Sequence, residues 1–387
     1  MEYICLVIIA LIVYMFILGS YRGNSINSDV FSKIWILITL IAFIMAFIFE
    51  PNPSLNLDLL RLNARLDTIR SFGLENALKY SGFEGLYIFE NWLYLVSLTE
   101  YNSLLTAVPF AIDVYIFGKI VSDILCKVKV MKFSYLTFGL FTWISLIGLK
   151  LAITDIRCVF AMTICCYALY LEFIKNECKF FSVLLYLVAF FTHHYAVTFL
   201  ISRVIVSIMI KIKSKNKLLF FTFVTLLIPI FINSIVTNMV FYNDYLALVI
   251  GKFVGYQDRA YFVDNALSQK ILYISMLIVV LYSSLFSYSN LCFYKNEQDT
   301  QSIAYKSSLA LLSISILLLG FYNNYLMIER GLYILSGLFP IAYLLMPEKL
   351  HRKRNPYILI PILLYILFIN DINTFIVNKL GYSYLRL

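Results

Sequence analysis

The chain has 387 residues, 61% of them hydrophobic and 17% aromatic, with a mean hydropathy of +0.84. That composition excludes an ordinary soluble domain, and the length allows about a dozen membrane spans of roughly 20 apolar residues each. The formal charge of +9 comes from 31 Lys and Arg against 22 Asp and Glu. In a membrane protein basic residues collect in cytoplasmic loops, so no nucleic-acid partner is expected. The seven cysteines show no CxxC pair and imply neither a disulfide framework nor a zinc site. No cofactor is expected.

Taken in chain order, the first apolar run is "YICLVIIALIVYMFILGS". It lacks a basic n-region and a small-residue cleavage site, so it reads as a span rather than a signal peptide. Further runs fall at about 34–50, 103–125, 133–151, 158–174, 180–192, 195–210, 218–240, 271–291, 307–322, 331–346 and 356–372. No internal repeat interrupts them. Short basic connectors mark the cytoplasmic side: "CKVKVMK" (126–132), "KNECK" (175–179), "KIKSKNK" (211–217) and "EKLHRKR" (348–354). Consecutive connectors on one side must be separated by an even number of crossings. That parity holds throughout if both termini lie outside and 51–102 makes no net crossing. Residues 51–102 then form a first long outer loop, and 241–270 a second. Within the first, "EGLYIFENWLYLVSL" is apolar but short and carries Glu84 and Glu90, which predicts an interfacial or re-entrant helix. The expectation is an all-α polytopic membrane protein, one integral domain over 1–387, with about 12 transmembrane helices.

Polar residues gather on the outer side. The first loop carries Asp58, Arg61, Arg65, Asp67, Arg70 and Glu84, with Asp58, Arg61 and Arg65 at helical spacing on one face. The hairpin formed by 158–174 and 180–192 has Arg157 and His193 at its two outer ends. Helices of similar length bring those ends to one height. His194 follows His193, and Asp155 precedes Arg157. Later loops add Asp244, Lys252, Asp258, Arg259, Glu329 and Arg330. Each has a bland reading. An arginine at a span end snorkels to headgroups. Two histidines at a turn form an interfacial hydrogen-bonding pair, and a charged loop helix is simply solvated. A metal held by His193, His194 and Asp155 is disfavoured, since adjacent histidines point different ways. Asp113 and Arg203 fall near the centres of their runs, where charges pair or line a wet cavity. An Asp113–Arg203 pair is the favoured expectation.

Several of these stretches carry a family likeness. "DLLRLNARLDTIRSFG" (Asp58 to Gly73) resembles the D-L-x-R-x-x-x-x-x-D-x-x-R element of Wzy-type polysaccharide polymerases of the EpsG family. "FEGLYIFENWLYLV" is similar to its Glu-Pro-x-Tyr/Phe element, with Gly85 where proline is common. The block from Asp155 to Val197 resembles Ile-Arg with Ala four residues on, a short hairpin, then Ala-x-x-x-His-x-Ser/Ala-Ala. Arg157, Ala161, Ala189, His193 or His194, and Ala196 hold the matching places. Cys158 replaces the usual glutamine, and the doubled histidine leaves two registers open. "ERGLYILSGLFP" resembles a late arginine-containing element more weakly.

The resemblance implies a GT-C-like fold in a bacterial cytoplasmic membrane, with the active site on the outer side. It implies a glycosyltransferase that joins undecaprenyl-diphosphate-linked oligosaccharides, donor and acceptor, into capsular, exopolysaccharide or O-antigen chains. Chain-length regulators and other assembly proteins are the implied partners, beside the bilayer itself. A lipid diphosphate leaves, so guanidiniums are needed to neutralise its developing charge. Arg157 and Arg330 are the candidates, with Arg61, Arg259 and Glu84 as further substrate contacts. The acceptor hydroxyl needs a base or hydrogen-bond acceptor: Asp58 or His193, with His194 close behind. Arginines in place of a metal make the reaction metal-independent. A flippase for the same lipids is the alternative from another class, and Asp113 and Arg203 are its main support. It usually has pseudo-symmetric halves, which the sequence lacks. A polysaccharide ligase has nearly the same site needs, and a structural scaffold comes third.

Overall fold

The computed structural model describes residues 28–50, 58–75, 86–128, 149–177, 179–212, 214–236, 299–320 and 331. Among them all regular structure is helical. Three stretches are long and apolar enough to cross a membrane: Leu104–Asp123, Ile156–Lys175 and His194–Lys211. This is an all-α membrane protein. The runs expected at 3–19, 133–151, 271–291, 331–346 and 356–372 lie wholly or almost wholly outside the described residues, as does the loop 241–270.

The chain divides into two compact units, the first built from 1–170, 178–196 and 364–387, the second from 171–177 and 197–363. In the first, α1 (Ser28–Phe47) packs against α4 (Leu104–Val128). Two side-chain bonds to backbone fix their antiparallel register. Trp35 Nε1 donates to the Val114 carbonyl at 2.9 Å, and Thr106 Oγ1 to the Ala46 carbonyl at 3.2 Å. Both are buried, and a donor in such a place is costly to leave unpaired. The indole reaches its acceptor only because residue 118 is glycine. A Cβ built there would fall on the Trp35 ring.

Helix α2 (Asp58–Phe72) is polar, with Leu59, Leu62, Leu66 and Ile69 buried along one stripe. Its apolar spacing is that of a surface helix. It stops at Gly73, whose φ of +79° suits the left-handed cap and whose N–H donates to the Ile69 carbonyl. Helix α3 (Tyr87–Ser97) has 11 residues, too few to span a bilayer. The expected short helix at this place is therefore present. Arg70 ties the two together, donating to the Ser97 and Thr99 carbonyls at 3.2 and 2.8 Å, where α3 would otherwise leave acceptors unsatisfied.

A short helix α5 (Leu149–Thr154) leads into α6 (Ile156–Leu169), which forms an antiparallel hairpin with α7 (Lys179–Thr192). The expected runs at 158–174 and 180–192 match this hairpin closely. Between its arms the helix widens into a π segment, Tyr170–Lys175. The chain then turns at Asn176, with a φ of 56°, and the Glu177 N–H reaches back to the Leu171 carbonyl. Asn tolerates this left-handed position better than most residues.

In the second unit α8 (Val197–Lys211) and α9 (Lys215–Val236) both pack on α10 (Asp299–Gly320). Helix α10 buries Leu309, Leu312 and Ile316 on several faces, with Ser307, Ser308, Ala310, Ser313 and Ser315 among them. Small residues let helices approach closely where lipid offers no hydrophobic drive to associate. Arg203 of α8 grips Glu172 of the π segment through two bonds of 2.8 and 2.7 Å. The expected Asp113–Arg203 pair is therefore wrong. The competing carboxylate was Glu172, which looks in sequence like the ordinary end of a span. Asp113 is fully buried in α4, beside Thr163, and among the described residues neither carboxylate oxygen has a partner at hydrogen-bonding geometry.

Two measurements check this packing. Gly118→Ala should destabilise the protein by about 1–3 kcal/mol through overpacking, read as a lower melting midpoint in detergent. The loss should shrink in a Trp35→Phe background, and equal losses would mean that the glycine serves something other than the indole. Glu172→Gln should cost about 2 kcal/mol, below the value for a fully enclosed pair because the Arg203 side chain is 34% exposed. Adding Arg203→Gln should recover part of that loss.

Candidate functional site

The site grows from the N-terminal end of α6. Arg157 is the second residue of that helix. A cation there meets the positive end of the helix dipole and needs a compensating anion. Asp58 supplies it: Arg157 Nη2 donates to Asp58 Oδ2 at 2.6 Å, across 99 residues of sequence. The other oxygen, Oδ1, pairs with Arg61 Nη2 at 3.0 Å, one turn further along α2. Of Asp58, Arg61 and Arg65, expected on one face, the first two are joined there directly. Asp58 itself sits in the first turn of its helix, where a carboxylate is favoured.

The two bridges are unequal. The Arg61 side chain is 64% exposed, Asp58 21% and Arg157 13%. The exposed pair is screened and contributes little. The Arg157–Asp58 bond is short, charge-assisted and half-sheltered, which makes it the stronger one. The Arg157 guanidinium carbon also lies over the Phe89 ring of α3, 5.3 Å from its centroid. That is cation–π distance.

Beneath this pair lies a second layer that the sequence reading did not assign to the site. Arg65 of α2 is drawn inward, and Glu90 of α3 is buried at 8% exposure. Burial brings the Arg65 guanidinium down from its ordinary value to about 10; the Glu90 carboxylate opposes that fall and Arg157 adds to it. Arg65 stays charged at neutral pH. The guanidiniums of Arg61, Arg65 and Arg157 thus gather around the carboxylates of Asp58 and Glu90. The signal for Arg65 was available, since it lies seven residues after Asp58. Glu90 was hidden by the apolar residues around it.

The hairpin delivers its other end to the same place. Thr192, the last residue of α7, and Arg157 line one cavity, and the 3₁₀ turn His194–Ala196 packs on α6. The two histidines differ sharply. His193 is half-buried, and its Nδ1 accepts the Tyr195 N–H at 3.2 Å. In the neutral ring the proton is then on Nε2, which donates. His194 is buried at 7% exposure, edge-on to Phe190 at 5.9 Å. Of the two registers left open by the sequence, the accessible ring belongs to His193. Asp155 provides the N-cap position of α6 without a side-chain capping bond. Glu84, Arg259 and Arg330 lie outside the described residues.

The cavity has a volume of about 400 Å³ and lies among α3, α4, α6 and α7. Its walls include Phe89, Trp92, Ile112, Phe160 and Val188, with Arg157 the charged member. A proline shapes one wall. Pro109, inside α4, has no N–H for the Leu105 carbonyl. Trp92 Nε1 approaches that carbonyl at 3.5 Å and takes the vacated place. Thr192 also lines the cavity, but its hydroxyl donates to the Val188 carbonyl of its own helix at 2.7 Å.

No family model, curated protein or solved structure matches the chain. The site therefore stands on its residues and their geometry.

The unequal bridges give a test. Arg61→Ala should change stability by no more than about 1 kcal/mol. Asp58→Ala leaves a sheltered guanidinium without its carboxylate and should cost about 1.5–3 kcal/mol. Thermal unfolding in one detergent compares them. Equal effects would mean that Arg157 does not depend on Asp58.

Proposed function

We propose that the protein is a glycosyltransferase of the Wzy type, polymerising undecaprenyl-diphosphate-linked oligosaccharides at the outer face of a bacterial cytoplasmic membrane. One observation carries the reading. The two stretches that most resemble EpsG-family polymerases, around Asp58 and around Arg157, are joined by a 2.6 Å ion pair. Stretches that merely looked alike would have no reason to converge on a single charged cluster at the mouth of an apolar cavity.

The reaction asks for few parts. A sugar hydroxyl of the acceptor attacks the anomeric carbon of the donor glycan. The carbon–oxygen bond to the diphosphate breaks, and the lipid diphosphate leaves with the electron pair. Arg157, backed by Arg65 and with Arg330 as a further candidate, offsets the charge that develops on it. The hydroxyl proton passes to a nearby acceptor. Asp58 has acceptor capacity left after its two bridges, since a carboxylate offers about four lone-pair sites. His193 donates through Nε2 and suits a hydrogen bond to a phosphate or sugar oxygen.

A flippase retains one supporting observation, the buried Asp113. Its other support, Arg203, is bound to Glu172. Deleting the gene in its host separates the two. Single lipid-linked repeat units accumulating outside mean polymerase, and units trapped inside mean flippase.

Arg157→Lys is the sharper test. Lysine keeps the charge but loses the planar fork that holds two oxygens at once. With purified lipid-linked repeat units and matched protein abundance, polymerisation should fall by roughly 10²–10³, the range for loss of a comparable electrostatic donor. A snorkelling arginine tolerates lysine almost fully. Near-normal polymer would therefore remove Arg157 from the site.

A further inference from the structure

The polymerase reading accounts for the charged cluster and leaves the cavity beside it unused. We propose that this cavity holds the head-proximal isoprenoid units of a polyprenyl diphosphate, with the diphosphate on Arg157 at its mouth. The inference rests on the proposed function and adds where the lipid part of the substrate is held.

Three observations converge on it. The volume of about 400 Å³ falls in the range of small-molecule sites, and its place among packed helices is a usual one. Most of the wall is aromatic or aliphatic, from Phe89, Trp92, Phe160, Ile112 and Val188; the Thr192 hydroxyl and the Asn91 amide N–H each donate to a carbonyl of their own helix. Leu95 and Ile112 line the cavity yet are 55% and 37% exposed, so it opens on an apolar flank of the unit where lipid chains can enter sideways.

Charge chooses the occupant. A lipid chain moving from the bilayer into an apolar cavity gains no hydrophobic free energy, because hydrocarbon surrounds it in both places. Selectivity must come from close packing and from the headgroup. At the mouth Arg157 is already held by the Asp58 carboxylate. An incoming headgroup has to compete with that carboxylate or share the guanidinium with it. A diphosphate brings more charge and more acceptor oxygens than the single phosphodiester of a bulk phospholipid, and so competes better. A second guanidinium, Arg65, stands close enough to Arg157 to act on it electrostatically, and it favours the same choice.

The test uses the full-length protein, purified in detergent, and a polyprenyl diphosphate carrying a photoreactive group on its second isoprene unit. Crosslinks should map to α3, α4, α6 or α7 at the cavity walls. Excess undecaprenyl diphosphate should abolish them, and the same excess of phosphatidylglycerol should leave most of the signal. Val188→Trp fills the cavity and should reduce crosslinking at least tenfold. Ile112→Trp, at a half-exposed position, gives the same reading if Val188→Trp fails to accumulate. Arg157→Gln should weaken capture of the diphosphate probe about tenfold or more and leave capture of the corresponding polyprenyl alcohol unchanged. Crosslinks elsewhere, or undiminished crosslinking in both tryptophan variants, would overturn the assignment. Equal competition by phosphatidylglycerol would overturn it too, and would make the cavity a site for bulk lipid. The assay contains no acceptor sugar. A protein that binds the probe here but never polymerises refutes the proposed function and leaves the cavity standing. Polymerisation without capture does the reverse.

Discussion

The Asp58 carboxylate is the point on which the site turns. Arg157 stands at the N-terminal end of α6, where the helix dipole repels it, and next to a cavity that offers it no solvation. It can remain there as a cation only if an anion meets it. Asp58 arrives from a helix that does not span and that has its own reason to carry an acid in its first turn. The same contact therefore answers two local electrostatic demands. It also fixes α2 against α6, so that the polar helix cannot drift along the surface. Arg70 secures the far end of α2 through the terminal carbonyls of α3. A polar helix, a short apolar helix and the end of a spanning helix are thereby held in one arrangement by guanidinium groups at both ends.

The layers beneath that contact tie the polar and apolar parts of the site together. The Phe89 ring lies under the Arg157 guanidinium, and Glu90, its neighbour in sequence, faces the opposite need by supporting Arg65. Helix α3 thus supplies an aromatic face and a carboxylate within one turn. Trp92 comes from the next turn of the same helix and satisfies the carbonyl that Pro109 leaves open. The cavity wall and the charged cluster are built on the same 11 residues. A shift of α3 would disturb both together, which couples the apolar part of the site to the polar part.

Much of this was legible in sequence, because hydropathy and helical spacing report local structure. The hairpin, the short helix in the first loop, and the shared face of Asp58 and Arg61 all follow from patterns within a few residues. What was not legible depended on contacts between distant segments. Arg203 lies near the middle of its apolar run, and the sequence offered Asp113 as a buried acid at similar depth. The actual partner, Glu172, sits in a π segment, where one widened turn re-aims the side chain. No pattern of apolar residues announces such a turn. Glu90 marked the short helix in sequence, but its link to Arg65 was hidden for a related reason. Its neighbours Phe89 and Leu93 signal burial, and a buried acid becomes intelligible only when the arginine it serves is known.

The doubled histidine illustrates how a small geometric fact redistributes chemical roles. Sequence allowed either ring to act as a base. In the structure His194 is enclosed against Phe190, and His193 spends its Nδ1 lone pair on the Tyr195 N–H that opens the 3₁₀ turn. The neutral His193 ring then presents a donor outward, and its protonated form presents one too. Neither form offers a lone pair at Nε2. A base at this end of the hairpin would require the ring to release the Tyr195 N–H. Asp58 faces no such obstacle, because accepting two guanidiniums leaves it further lone pairs. In the proposed reaction the proton acceptor is therefore placed on α2 and the donors to developing negative charge on the hairpin. On that division the ion pair joining Asp58 to Arg157 also sets the distance between the two halves of the reaction.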